Sequence, residues 1–238
     1  MGVPRGFYAV FAHYLATKGA RVLTLDYRGI GKSEHVPGAS LADWGELDLP
    51  AGVDTLYASA PELPIHFIGH SVGGQLFGLF GDDRIKSATF VASQSGYWRH
   101  WDGVWRLRIL ALWFGLVPTT TKLFGHLPAT LLGGGDNIPG GVAAQWARWG
   151  RHPDYIYSYA NTLTKSGFNS YTGPIRALAF RDDSMAPERA ARSLLSYFDQ
   201  TTPEFISIRP EDAQLSSIGH FGAFRPAAKG LWEEMTPR

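Results

Sequence analysis

The stretch Pro64-Ile65-His66-Phe67-Ile68-Gly69-His70-Ser71-Val72-Gly73-Gly74-Gln75-Leu76 decides how the chain folds. An apolar run of strand length, Ile65 to Ile68, leads directly into Gly-x-Ser-x-Gly, and small residues then open a helix-like stretch. At such a strand-to-helix turn the serine takes a strained backbone conformation that projects its hydroxyl beyond the sheet edge. Glycines two residues to either side are expected to leave room for the close chain approach. The N–H of Val72, first in the following helix, then faces negative charge developing beside the hydroxyl. Ordinary turn serines also sit between glycines, so the reading requires a base and an acid elsewhere in the chain.

Both are available. Ser216-Ser217-Ile218-Gly219-His220-Phe221-Gly222 places a histidine in a glycine-flanked loop after the last apolar run. Phe180-Arg181-Asp182-Asp183-Ser184-Met185-Ala186-Pro187 places two adjacent carboxylates just past another strand-like run. The remaining histidines fit less well: His70 adjoins the serine, His66 lies inside a strand, and His13, His35, His100, His126 and His152 fall on helices or loops. Structural or solvated roles suit them.

Five apolar or β-branched runs read as strands: Arg21 to Leu25, Ile65 to Ile68, Ser87 to Ala92, Ile175 to Phe180 and Phe205 to Ile208. Helical patterns over Phe7 to Lys18, Asp43 to Ala58 and Glu188 to Phe198 alternate with them, which predicts a mostly parallel sheet with crossover helices. Gly19 is placed to end the first of these helices. Between Tyr97 and about Gly167 the rhythm breaks. Trp98, Trp101, Trp105, Ile109, Leu112, Trp113 and Leu116 recur mostly at three or four residues, describing an amphipathic helix with an aromatic face. A Gly/Pro-rich loop, Gly133 to Gly141, precedes a second helix carrying Trp146 and Trp149. The expected organisation is a first core part over 1–96, a helical cap insertion over 97–167 and a second core part over 168–238. The tryptophans read first as core, with one or two available to line a pocket.

Composition narrows the function. With 238 residues, 45% hydrophobic, 18% charged and a formal charge of +1, the chain fits one globular domain without the concentrated basic surface that nucleic acid requires. A small-molecule substrate suits it better. There are no cysteines and no His-Glu-x-x-His, so neither a thiol nucleophile nor a metal site is supported, and no cofactor is implied. The longest oily run, Ile109 to Val117, is far short of the ~20 residues that span a bilayer, and Met1 to Gly19 carries charges throughout. No stable membrane insertion and a cytoplasmic location are the default expectations, while the oligomeric state stays open. Gly31-Lys32-Ser33 ends like a phosphate-binding loop, but the glycine required five residues earlier is Asp26, whose carboxylate would repel phosphate.

The order Ser71, then an acid, then His220 is that of the α/β-hydrolases, and the chain resembles that superfamily over nearly its whole length. More narrowly it resembles bacterial predicted hydrolases related to the serine aminopeptidase and monoacylglycerol lipase-like families. The likeness rests on Asp26-Tyr27-Arg28-Gly29-Ile30-Gly31-Lys32-Ser33, His70-Ser71-Val72-Gly73-Gly74-Gln75, Gln94-Ser95-Gly96-Tyr97-Trp98 and Gly219-His220-Phe221-Gly222. The resemblance implies an α/β-hydrolase fold with an inserted cap. It makes Asp26 to Ser33 a scaffold turn and, by the usual spacing of the acid from a following proline, favours Asp183 over Asp182. It further implies an oxyanion hole built from Val72 and, at the loop that follows the superfamily's third strand, Met1. Strands normally precede the region where this sequence begins, so an N-terminally extended form is expected to be more soluble and more active. The implied activity is a serine hydrolase acting on an ester, thioester or amide of a small, largely apolar molecule. An acyltransferase with the same triad, or a non-catalytic binding protein on the same scaffold, are the alternatives.

Overall fold

Residues 1–133 and 135–236 are described by the computed structural model. Along the chain, α1 (Ala9–Thr17) follows a 3-10 turn, and α2 (Leu41–Asp43) runs through a wide π-type turn into α3 (Leu49–Ser59). Then come β1 (Ile65–His70), α4 (Val72–Phe77), β2 (Ile85–Val91), α5 (Gly103–Ala111) and α6 (Val117–Phe124). The short β3 (His126–Leu127) and β4 (Ile138–Pro139) pair with each other ahead of α7 (Gly140–Arg151), α8 (Tyr157–Ala160) and α9 (Gly167–Ser170). Last are β5 (Ile175–Phe180), α10 (Glu188–Leu195), β6 (Glu204–Ile208) and α11 (Trp232–Met235).

The main sheet has the order β1-β2-β5-β6, with every neighbouring pair parallel. Parallel strands are covered on both faces, and here alternate residues enter two separate cores. Phe90 and Ala177 join Leu76, Phe77, Leu194 and Phe198 on one face. Val91, Leu178 and Phe180 join Phe11, Leu15, Phe224 and Trp232 on the other. Because both faces bury side chains, a slip of one residue would exchange the two sets, and the register is fixed by packing alone.

The helix starts and stops follow their local chemistry. Ser40 caps α2 in a reciprocal box with Asp43, each side chain bonded to the other's backbone N–H. Gly19, at φ +91°, follows α1 as the expected terminating glycine. One expected strand does not form. Arg21 to Leu25 runs without turn or bend, yet no backbone hydrogen bond joins it to the sheet. A cavity of about 600 Å³ separates it from the free edge of β1, so it has no partner at hydrogen-bonding distance. Consecutive residues of both segments line this cavity, Lys18 to Leu25 on one side and Leu63 to Gly73 on the other, so it abuts two backbone edges rather than one sheet face.

Helices fill the interval between β2 and β5. The aromatic helix begins at Gly103, later than the tryptophan spacing predicts, because Trp98 to His100 forms a separate 3-10 turn. From Gly103 the helix continues to Phe124 through a π-type turn at Leu112–Leu116. Trp101, Trp113 and Trp149 are buried, and none of the interval's tryptophans lines the cavity beside β1. Trp113 anchors the interval: it is 1% exposed and donates from Nε1 to the Gly96 carbonyl at 3.0 Å. Trp113→Ala is expected to cost about 3–5 kcal/mol in a urea titration. Trp105→Ala, which removes a half-buried ring held mainly against Arg108, should cost under about 1 kcal/mol in the same assay.

Candidate active site

Ser71 sits between β1 and α4 with φ 51° and ψ −112°, a conformation that costs a non-glycine residue about 1–3 kcal/mol. Its N–H donates to the Val91 carbonyl of β2 at 2.9 Å, which ties the turn to the neighbouring strand. The glycines around it are not equivalent. A Cβ on Gly69 would lie 2.5 Å from the Gly74 nitrogen, and one on Gly74 would collide with Ser93. A Cβ on Gly73 would meet nothing closer than the Tyr27 hydroxyl at 3.8 Å. The close approach expected of Gly69 and Gly73 is therefore made by Gly69 and Gly74.

His220 bridges the serine and one aspartate. Its Nε2 lies 2.9 Å from Ser71 Oγ and its Nδ1 lies 2.7 Å from Asp183 Oδ2. All three residues are buried, although they are far apart in sequence. Asp183 follows β5, and its Oδ1 accepts the N–H groups of Met185 at 2.8 Å and Ala186 at 3.0 Å. These bonds leave Oδ2 aimed at the imidazole. Asp182 turns the other way and accepts the N–H groups of Ile218 at 2.8 Å and Gly219 at 3.0 Å. The two adjacent carboxylates thus have separate tasks: one meets the ring of His220, and the other holds the loop that carries it.

His70 is a support that sequence reading left as merely structural. Its Nε2–H donates to the His220 carbonyl at 2.8 Å, so its Nδ1 accepts from the Tyr8 hydroxyl, also at 2.8 Å. Burial, then the nearby His220 ring, hold the His70 pKa well below the ordinary value, which keeps this neutral tautomer. Burial likewise pushes the Tyr8 hydroxyl upward, so it stays a donor. Tyr8 had no signal in the sequence, because 62 residues separate it from His70.

A buried polar chain reaches the acid from the opposite side. Trp146 Nε1 donates to the Tyr155 hydroxyl at 2.9 Å, and that hydroxyl donates to Gln75 Oε1 at 2.8 Å. Gln75 Nε2 donates to Gln94 Oε1 at 3.3 Å, and Gln94 Nε2 to the Met185 carbonyl at 3.2 Å. Helix α7 is thereby connected through the first turns after Ser71 to the segment that cradles Asp183.

At the front, Asp26 accepts the N–H groups of Arg5 at 2.6 Å and Lys32 at 3.1 Å. Arg28 grips Asp48 through Nε at 2.8 Å and Nη2 at 2.7 Å. This segment holds itself and its neighbours, as expected of a scaffold turn. Met1 and Val72 line the same cavity as Ser71. The Met1 amine is buried there, which lowers its pKa to about 6. The Val72 N–H, in the first turn of α4, has no acceptor among the described residues.

The family model for serine aminopeptidase, S33, matches residues 1–138 of this chain. The chain belongs to the serine aminopeptidase S33 family. Family membership makes it an α/β-hydrolase enzyme. Solved structures share the fold at low identity. An esterase from Exiguobacterium antarcticum is 14% identical with a TM-score of 0.60, over 98% of this chain and 86% of that one. A monoacylglycerol lipase from Paleococcus ferrophilus is 14% identical with a TM-score of 0.56, over 99% and 90%. An esterase from Pyrococcus furiosus is 18% identical with a TM-score of 0.57, over 95% and 72%. A search of curated sequences returns no match.

Gly69→Ala and Gly74→Ala should each lower the thermal midpoint by several degrees, whereas Gly73→Ala should leave it nearly unchanged. Acid should also destabilise the fold through buried histidines. His100, whose ring nitrogens have no partner, is lowered to about 4 by burial and then by Arg189, and His70 is lowered as well. Unfolded, both bind protons near 6.5, so the unfolded chain takes up more protons as pH falls. The contribution of His100 is complete above that pH and fades toward about 4, and that of His70 fades in the same direction. Urea midpoints measured across this range should show the decline, and His100→Gln should flatten it.

Proposed function

We propose that this chain is a serine hydrolase cleaving a carboxylic ester of a small, largely apolar molecule through an acyl-enzyme. The observation that carries the reading is the continuous hydrogen-bonded path Ser71–His220–Asp183, buried at the carboxyl ends of β1, β5 and β6. His220 Nε2 removes the Ser71 proton as Oγ attacks the carbonyl carbon, and the carbonyl electron pair moves onto its oxygen. Asp183 keeps Nδ1 protonated and stabilises the imidazolium that forms. As the tetrahedral intermediate collapses, His220 returns the proton to the departing alkoxide. A water molecule, activated by the same imidazole, then releases the acid and restores Ser71.

The oxyanion is assigned to the Val72 N–H, with the Met1 nitrogen as the second donor. One such donor contributes about 3 kcal/mol to the transition state. An ester suits the site better than an amide, because its better leaving group asks less of the oxyanion donors. The helices between β2 and β5 act in this reading as a cap domain.

Labelling with a fluorophosphonate, read as intact mass, tests the proposal. One adduct is expected on the parent chain and none on Ser71→Ala. An unlabelled but folded parent would sink the hydrolase reading and leave a binding scaffold. Asp183→Asn should lower esterase kcat by roughly 10⁴-fold, since the amide favours the wrong imidazole tautomer. Asp182→Asn retains an acceptor for the His220 loop and should lose far less, which separates the two carboxylates kinetically.

A further inference from the structure

The helical run Gly103–Phe124 is 22 residues long, predominantly apolar and mostly exposed. Among the described residues it is the one helix whose length and composition would allow a membrane span. Its inner face is committed to the protein through Trp113, Val117 and Thr120, so it lies along the surface and does not stand free. The outer face exposes Val104, Leu107, Phe114, Leu123 and Phe124, each more than half accessible. Exposed apolar side chains recur along the run, at Val104 and Leu107, at Phe114, and at Leu123 and Phe124, unlike isolated surface leucines.

Charge distinguishes what this patch fits. The sequence from Gly103 to Gly135 contains no carboxylate, while Arg106, Arg108 and Lys122 lie within the helical run. From Arg99 to Arg151 six cations face two carboxylates, a net +4, whereas the rest of the chain carries −3. Arg106 is paired with Asp102 at 2.6 Å. Arg108, Lys122 and Arg151 make no salt bridge among the described residues. Arg108 instead sits over the Trp105 ring at 4.7 Å, and Arg151 over Phe114 at 5.6 Å, which puts uncompensated cations at the border of the apolar patch. Aromatic and aliphatic residues bordered by cations suit the boundary between acyl chains and anionic headgroups.

We propose that the outer face of Gly103–Phe124 is a peripheral docking surface for a bilayer carrying anionic lipid, with the helix lying in the plane of the interface. The helix does not span: Trp113 fixes one side to the Gly96 carbonyl, and the interval's cations stay at headgroup level.

Sedimentation with vesicles of phosphatidylcholine, with or without about one-third phosphatidylglycerol, tests this on the full chain. Partitioning should be about tenfold stronger with the anionic lipid and should weaken as salt is raised. The triple variant Leu107→Ser, Phe114→Ser, Leu123→Ser should bind at least about tenfold less while keeping the parent's thermal midpoint. Val10→Ser with Leu47→Ser, which removes exposed apolar groups elsewhere, should bind like the parent. Three results would overturn the proposal. They are no binding to anionic vesicles, equal loss in the two variant sets, or a parent dimer that the triple variant converts to monomer without change in vesicle binding. Should the triple variant misfold, Arg108→Glu with Lys122→Glu replaces it, and unchanged anionic preference in that variant would likewise overturn the proposal.

Discussion

The positive φ of Ser71 is the constraint to which the rest of this molecule is fitted. A serine in that conformation persists only where its surroundings allow no alternative. Here they are the bond from its N–H to β2, the near contact of Gly69 with Gly74, and Ser93 pressed against Gly74 from the next strand. The parallel pairing of β1 with β2 supplies the first, and the packing of α4 against β1 and the segment after β2 supplies the other two, so the sheet and its first helix together set the direction of the Ser71 hydroxyl.

Around that turn, polar groups are buried only in closed sets. His70 spends both ring nitrogens, Asp183 uses one oxygen on backbone and the other on imidazole, and Tyr155 both donates and accepts. In a low-dielectric interior an unpaired member would cost about 1–3 kcal/mol, so each set resists rearrangement as a unit. His100 and the Tyr171 hydroxyl are exceptions, with no hydrogen-bond partner among the described residues, and burial makes His100, like His70, a group whose protonation opposes the fold.

Much of this was legible in the sequence for physical reasons. Ser71 could be read because strand, small residues and helix are contiguous, and His220 and the Asp182–Asp183 pair because each follows a strand-like run. The family spacing from Pro187 favoured Asp183, and the backbone N–H partners of the two carboxylates give the physical reason they point in different directions. Tyr8, Gln94 and Tyr155 matter through contacts across 62, 91 and 80 residues, which no local pattern encodes. Arg21 to Leu25 misled for the complementary reason: its apolar, β-branched residues suit a strand, but pairing depends on a neighbour that periodicity does not reveal.

That unpaired segment divides the molecule into regions of unequal firmness. β1, β2, β5 and β6 are locked by ladders and two cores, whereas Met1 to Leu25 is held by α1 packing, a backbone bond from Asp136 to Gly2 and a few side-chain bonds, with no ladder to the sheet. Local opening is easiest where cooperative hydrogen bonding is absent. The Tyr8 hydroxyl that fixes His70 belongs to this softer region, while Ser71, His220 and Asp183 belong to the firm one. The alignment of His220 therefore depends on the turn that leads into α1, which packs with Phe221 and Phe224 on the same side of the sheet as the His220 loop.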